Sequence, residues 1–171
     1  MSASNYVCAG FETVVRIFEI FFNGEQYDNN FTREDISLFF GQTCNKFLHS
    51  FGQNFRTRRK YNKFIPKEVS VFEKCKATRC FDHSSLIVDS GGFQSSIGLL
   101  NRKQMNILMK LYYQFLEEHH DVYDQSFILD APPGPGCTMY SNFKEVQEYN
   151  EFSYLKAAEL PDVARDKMVY V

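Results

Sequence analysis

At 171 residues, with 44% hydrophobic and 23% charged residues, the chain has the size and composition of one globular domain, which excludes a disordered tail or a low-complexity linker. Its longest apolar stretch, residues 14–22, is interrupted by Arg16 and Glu19 and is too short to span a bilayer; the amino terminus lacks the basic start and small-residue cleavage site of a signal peptide. The expectation is a soluble, cytoplasmic single domain over residues 1–171 with no membrane partner, and its formal net charge of −2 hides a strong asymmetry taken up below.

The first predicted element is an amphipathic or buried helix over residues 11–22, with Gly24 as its stop signal. Residues 36–40 then form the first of four apolar runs; the others are 85–89, 126–130 and 167–171. Their starts lie 49, 41 and 41 residues apart, more than the crossover that joins two parallel strands requires, so the pattern reads as repeated βα units.

Between the first and second runs the charge is segregated. From Lys46 to Arg79 ten cations face only Glu68 and Glu73, a surplus of 8 that leaves −10 for the remainder. Within it, residues 55–64 interleave Phe55, Tyr61 and Phe64 with Arg56, Arg58, Arg59, Lys60 and Lys63. That composition suits phosphate contacts with base stacking, and it equally suits a solvated basic loop whose aromatics anchor it to the core.

The run Leu86-Ile87-Val88 ends in Asp89 and then Ser90-Gly91-Gly92-Phe93-Gln94. An apolar run of this kind is a parallel strand covered on both faces, and ligands bind just past the C-terminal ends of such strands. Phe127-Ile128-Leu129 likewise delivers Asp130, so two carboxylates are expected at one end of the sheet. The glycine pair allows positive φ and close approach, while residues 131–136 (Ala-Pro-Pro-Gly-Pro-Gly) form a stiff turn. The alternative is that the aspartates cap the following helices and the glycines only turn the chain.

Met105, Leu108, Met109, Tyr112, Phe115 and Leu116 recur at three- and four-residue intervals, which predicts a helix over residues 102–119 with a core-facing Met and Tyr stripe. Asn101 serves as its N-cap with Gln104 three residues on, and His119 and His120 fall where positive charge suits a helix C-terminus. A further helix spans residues 143–160 and is stopped by Pro161, ahead of the last apolar run. The chain reads as the front half of a repeated βα architecture.

Five cysteines, odd in number and irregularly spaced, argue against a disulfide framework. Cys75, Cys80 and His83 form a loose C-x4-C-x2-H that lacks a fourth ligand and the two-residue knuckle spacing of zinc sites, so no metal site is assigned.

Asp89-Ser90-Gly91-Gly92-Phe93-Gln94 resembles the Asp-Ser-Gly-Gly-Phe/Tyr-Gln signature of tRNA-guanine transglycosylases, TIM-barrel enzymes that exchange guanine for a 7-deazaguanine base. Leu129-Asp130-Ala131-Pro132-Pro133 is similar to the Leu-Asp-x-Pro stretch of the archaeal type and of phage relatives that modify DNA. The resemblance is sharp over residues 85–130 and fades toward the amino terminus. It implies an α/β fold, a partial (β/α)8 TIM-barrel-like domain of roughly the first four βα units.

The same resemblance implies that Asp89 contacts the base as acid/base group, that Phe93 stacks on the heterocycle, and that Asp130 hydrogen-bonds its polar edge. Ser90, Gly91, Gly92 and Gln94 would shape the pocket; tRNA or DNA would be the substrate, and guanine or a 7-deazaguanine the base. In the family an aspartate attacks the ribose C1′ to release guanine, and that nucleophile and a Cys/His zinc site lie in the later half of the barrel, with no counterpart in this sequence. No cofactor is therefore expected in this chain, and zinc only in a complementary carboxy-terminal half, whether a second chain completes the barrel or the chain self-associates. The host cytoplasm is implied if the chain is phage-encoded. A transglycosylase-like protein without catalysis, serving as a binding or structural module, is the alternative, followed by an unrelated α/β phosphate or nucleotide binder.

Overall fold

The computed structural model describes residues 7–8, 46–58, 63–66, 85–92, 100–131 and 143–170. Five short strands make one parallel sheet: β1 (Val7–Cys8), β2 (Lys46–Ser50), β5 (Ser85–Asp89), β6 (Gln125–Phe127) and β7 (Met168–Val169). Between β2 and β5, a 3-10 turn (Phe51–Asn54) leads into an antiparallel hairpin of β3 (Phe55–Arg58) and β4 (Lys63–Pro66). Helix α1 (Arg102–Glu118) joins β5 to β6, and α2 (Phe143–Ala158) with the short α3 (Asp162–Arg165) precedes β7.

The parallel strands stand side by side in chain order, without the reversal that marks a doubly wound sheet. They begin at residues 7, 46, 85, 125 and 168, thus 39, 39, 40 and 43 residues apart. The regular spacing of parallel strands is therefore present, with described helices in the last two crossovers. The strand beside β5 is Lys46–Ser50, and the run at 36–40 lies outside the described residues, as does the helix expected over 11–22. Periodicity hides β2 because only Phe47 and Leu48 are strongly apolar, and because His49 takes a core position at 1% exposure.

Both long helices pack on one face of the sheet. Register sets Phe47 beside Leu86, and His49, Val88, Ser126 and Met168 in one row, all buried on the side of α1 and α2. The opposite face carries Leu48, Ile87, Phe127 and Val169, of which only Ile87 is buried. Asp89 follows the alternation onto that second face, beside Ser50.

Helix α1 starts at a reciprocal capping box with asparagine in place of serine or threonine. The Asn101 side chain accepts from the Gln104 N–H and the Gln104 side chain accepts from the Asn101 N–H, each at 3.0 Å. Its Met and Tyr stripe is core, as its spacing predicts: Met105, Leu108, Tyr112 and Leu116 are fully buried. The tyrosines earn their place by satisfying backbone carbonyls. Tyr112 Oη lies 3.2 Å from the Val88 oxygen and 2.6 Å from that of Phe127, while Tyr123 Oη donates to Leu116 at 3.0 Å and Tyr149 Oη to Met105 at 3.1 Å. Burial pushes the Tyr112 hydroxyl well up from the usual tyrosine range and raises those of Tyr113 and Tyr123. At the far end of α1, His119 is the C-cap and His120 Nδ1 lies 3.2 Å from the Glu117 oxygen.

The helix expected over 143–160 ends at Ala158, and Pro161 opens a separate turn, α3, rather than only closing α2. The strands expected at 126–130 and 167–171 are shorter, at Gln125–Phe127 and Met168–Val169. Among the described residues, no helix is long and apolar enough to cross a membrane.

Candidate functional site

The C-terminal ends of β2 and β5 and the segment that follows β6 come together, and both Asp89 and Asp130 lie at this end of the sheet. Asp89 is the last residue of β5. Its Oδ2 accepts from the Gly91 N–H at 3.1 Å, and Ser90 Oγ accepts from the Gly92 N–H at 3.2 Å, so two successive side chains close the turn that follows the strand. Gly91 has φ +84°, a conformation that favours glycine, and a Cβ there would stand 2.9 Å from the Gly52 backbone nitrogen. At Gly92 the restriction is harsher, because a Cβ would meet the Asp130 carbonyl oxygen at 2.1 Å and Asp130 Oδ1 at 3.4 Å. The close approach that the glycine pair permits is thus first of all an approach of neighbouring strand ends to each other.

Asp130 reaches this point from beyond β6. After Phe127 the chain leaves the regular ladder, with Ile128 N–H still donating to the Val169 oxygen at 3.1 Å, and side chains then take over its backbone groups. The Tyr113 hydroxyl lies 3.4 Å from the Leu129 nitrogen, Ser153 Oγ donates to the Leu129 oxygen, and Tyr113 and Ser153 bond each other at 2.8 Å. Asn150 holds Ala131 on both sides, its Oδ1 accepting from the N–H at 2.8 Å and its Nδ2 donating to the carbonyl at 3.3 Å. None of the three residues that hold it, Tyr113, Asn150 and Ser153, belongs to a sequence motif. The available signal was the polar pair Asn150 and Ser153 set among Val146, Tyr149 and Ala157 of α2.

Although Asp130 is exposed as a residue, partial desolvation lifts its carboxyl above the ordinary aspartate range, its own backbone N–H pulls it back somewhat, and the nearby Asp89 charge adds to the rise. A site in which the Asp89 charge opposes ionisation of Asp130 favours a ligand that presents N–H donors or positive charge. Asp89 is half-buried, while Ser90, Gly91 and Gly92 are buried. Phe93 and Gln94 lie outside the described residues, so the site assembles Asp89, Ser90, Gly91, Gly92 and Asp130 from the predicted set.

The basic segment is a hairpin rather than a loop. Register places Arg56, Arg58 and Lys63 on one face with Ile65, and Phe55, Thr57, Phe64 and Pro66 on the other; Arg59 and Lys60 lie outside the described residues. Cations and aromatics that alternate in sequence are therefore on opposite faces of the ribbon. The hairpin leaves the sheet at the same end as Asp89, through the 3-10 turn after β2, and β4 runs against α1.

Among the described residues, no group of three His, Cys, Asp or Glu side chains is placed to hold a metal ion, and Cys75, Cys80 and His83 lie outside them. The donors at the site, two carboxylates, a hydroxyl and glycine amides, do not form the Cys/His set of a zinc centre. No protein-family model, curated protein or solved structure matches this chain.

Proposed function

We propose that this chain is the base-recognition half of a guanine/7-deazaguanine transglycosylase-like enzyme, built on the first βα units of a TIM-barrel-like fold and acting on tRNA or DNA in the cytoplasm. The observation that carries the proposal is the meeting of Asp89-Ser90-Gly91-Gly92 with Asp130 across the ends of β5 and β6. Chain-order strands with both helices on one face support a singly wound, barrel-type arrangement.

Guanine suits such a site. Its N1–H and 2-amino group offer adjacent donors that one carboxylate reads with both oxygens, and supplying donors relieves the repulsion between Asp89 and Asp130. Asp130 takes this reading role, and Phe93 stacks on the ring. Asp89 is the acid/base candidate, protonating or deprotonating the base as it leaves or enters. The nucleophile that attacks the ribose and the zinc ligands are assigned to a complementary chain, or to self-association if that completes the barrel. Within the described sheet β7 pairs on one side only, so a parallel neighbour has a free edge to join.

One observation favours the second reading, a non-catalytic binding or structural module: Asp89 also closes its own turn, a role that survives without any base. Calorimetric titration with guanine and a 7-deazaguanine, alone and with the complementary chain, decides between them. The base-site reading expects binding that Asp130→Asn weakens, and exchange that Asp89→Asn abolishes more completely than binding. Absence of base binding in the complete assembly would leave the scaffold reading.

A further inference from the structure

We infer that Asn150 is a positioning residue of the base site, acting from α2 through Ala131 to hold Asp130 against Gly92 and toward Asp89. The inference rests on the base-site reading for its functional meaning, while the clamp itself stands on geometry.

Asp130 is not a strand residue, since β6 ends at Phe127. A carboxylate three residues past a strand end would swing with its chain unless something replaced the ladder. On the upstream side Tyr113 and Ser153 hold Leu129. Downstream, Pro132 and Pro133 have no N–H to offer, so Ala131 is the last residue before them that can be held by both backbone groups. Asn150 holds both, at 2.8 and 3.3 Å, and its amide thus copies the donor and acceptor of a neighbouring strand.

An apolar side chain at position 150 would pack on α2 but could match neither group. A carboxylate would match only the N–H. The amide is the side chain that fits both, and it belongs to the helix that also supplies Ser153 to Leu129. Asp130 is pinned one residue away, with the Gly92 backbone on its carbonyl. The titratable groups facing Asp130 are Asp89 from β5 and Tyr113 from α1, whose electrostatic interactions with it are both felt.

The test is the Asp130 carboxyl titration, followed by NMR in carboxyl-labelled protein, for wild type, Asn150→Ala and Tyr149→Phe. Tyr149→Phe removes another α2 hydrogen bond, to Met105 of α1 instead of to residues 129–131, and reports what general loosening of α2 does. Asn150→Ala should shift the Asp130 midpoint downward, toward the ordinary aspartate value, as the segment moves into water and away from Asp89; Tyr149→Phe should leave it in place. Guanine affinity should fall about tenfold in Asn150→Ala, the scale of one buried hydrogen bond. An unshifted Asp130 midpoint in folded Asn150→Ala, or equal shifts in the two variants, would overturn the inference. Should Asn150→Ala not fold, Asn150→Ser, which keeps a hydroxyl for the Ala131 N–H, carries the same comparison. A wild type that binds no guanine but shows the Asn150-dependent shift would remove the base site and leave the clamp.

Discussion

Gly92 lies flat against Asp130: a single methyl group at position 92 would come within 2.1 Å of the Asp130 carbonyl oxygen, well inside any tolerated contact. The glycine of one βα turn is thereby the seat for the carboxylate of the next, and the two motifs separated by 38 residues form one unit.

Gly92→Ala must push the ends of β5 and β6 apart, so it should destabilise the protein by roughly 1 to 3 kcal/mol and weaken base binding together. Urea denaturation with a parallel guanine titration checks this. A variant with wild-type midpoint and affinity would show that the two strand ends are not held against each other.

Tyr112→Phe leaves the ring packed against Phe51 and Tyr113 and removes only the hydroxyl shared by the Val88 and Phe127 carbonyls. It should cost about 1 to 3 kcal/mol, more than Tyr123→Phe, which leaves a single helix carbonyl short of one donor. Chemical denaturation of the two variants side by side measures the difference.

The raised Asp130 carboxyl gives a pH signature with a definite sign. A carboxyl whose folded value exceeds its unfolded value of 3.8 binds its proton more tightly in the folded state, so its contribution is fully present below 3.8 and is lost as pH rises through the folded value. Asp130→Asn should therefore be relatively more stable than wild type at neutral pH, with the advantage vanishing below pH 3.8. Guanine binding by wild type should weaken over the same acid range, as the reading carboxylate is protonated. Thermal melts across pH and a binding profile test both halves; a pH-independent difference between the two proteins would contradict the first.

We propose that nucleic acid meets the basic hairpin on the face of Arg56, Arg58 and Lys63. Replacing Arg56, Arg58, Arg59 and Lys60 with serine should weaken binding to tRNA or duplex DNA and flatten its salt dependence, by a slope of about 0.9 per lost phosphate contact on duplex. Phe55→Ala and Phe64→Ala should lower stability and leave that slope alone. An unchanged slope in the serine variant would make the segment a solvated ribbon, and a lower slope in the phenylalanine variants would restore base stacking to it.

What could be read from the chain alone was what short-range chemistry decides. Ser85-Leu86-Ile87-Val88-Asp89 specifies strand β5, and Asn101 with Gln104 and the three- and four-residue spacing of Met105 to Leu116 specifies α1 and its buried face, because caps and periodicity act within a few residues. The glycine pair with Asp89 and Asp130 was legible as a candidate site for the same reason. Strand β2 was not, since Lys46-Phe47-Leu48-His49-Ser50 becomes a strand only through its pairing with β5, which gives His49 a place in the core. Nor could the alternation of Arg56, Arg58 and Lys63 with Phe55 and Phe64 show that cations and aromatics part company until antiparallel pairing set their faces. The position of Asp130 was likewise a tertiary decision. Its segment runs past the end of the ladder, and the groups that hold it, Tyr113, Ser153, Asn150 and Gly92, come from α1, α2 and the β5 turn, so only packing brings them to it.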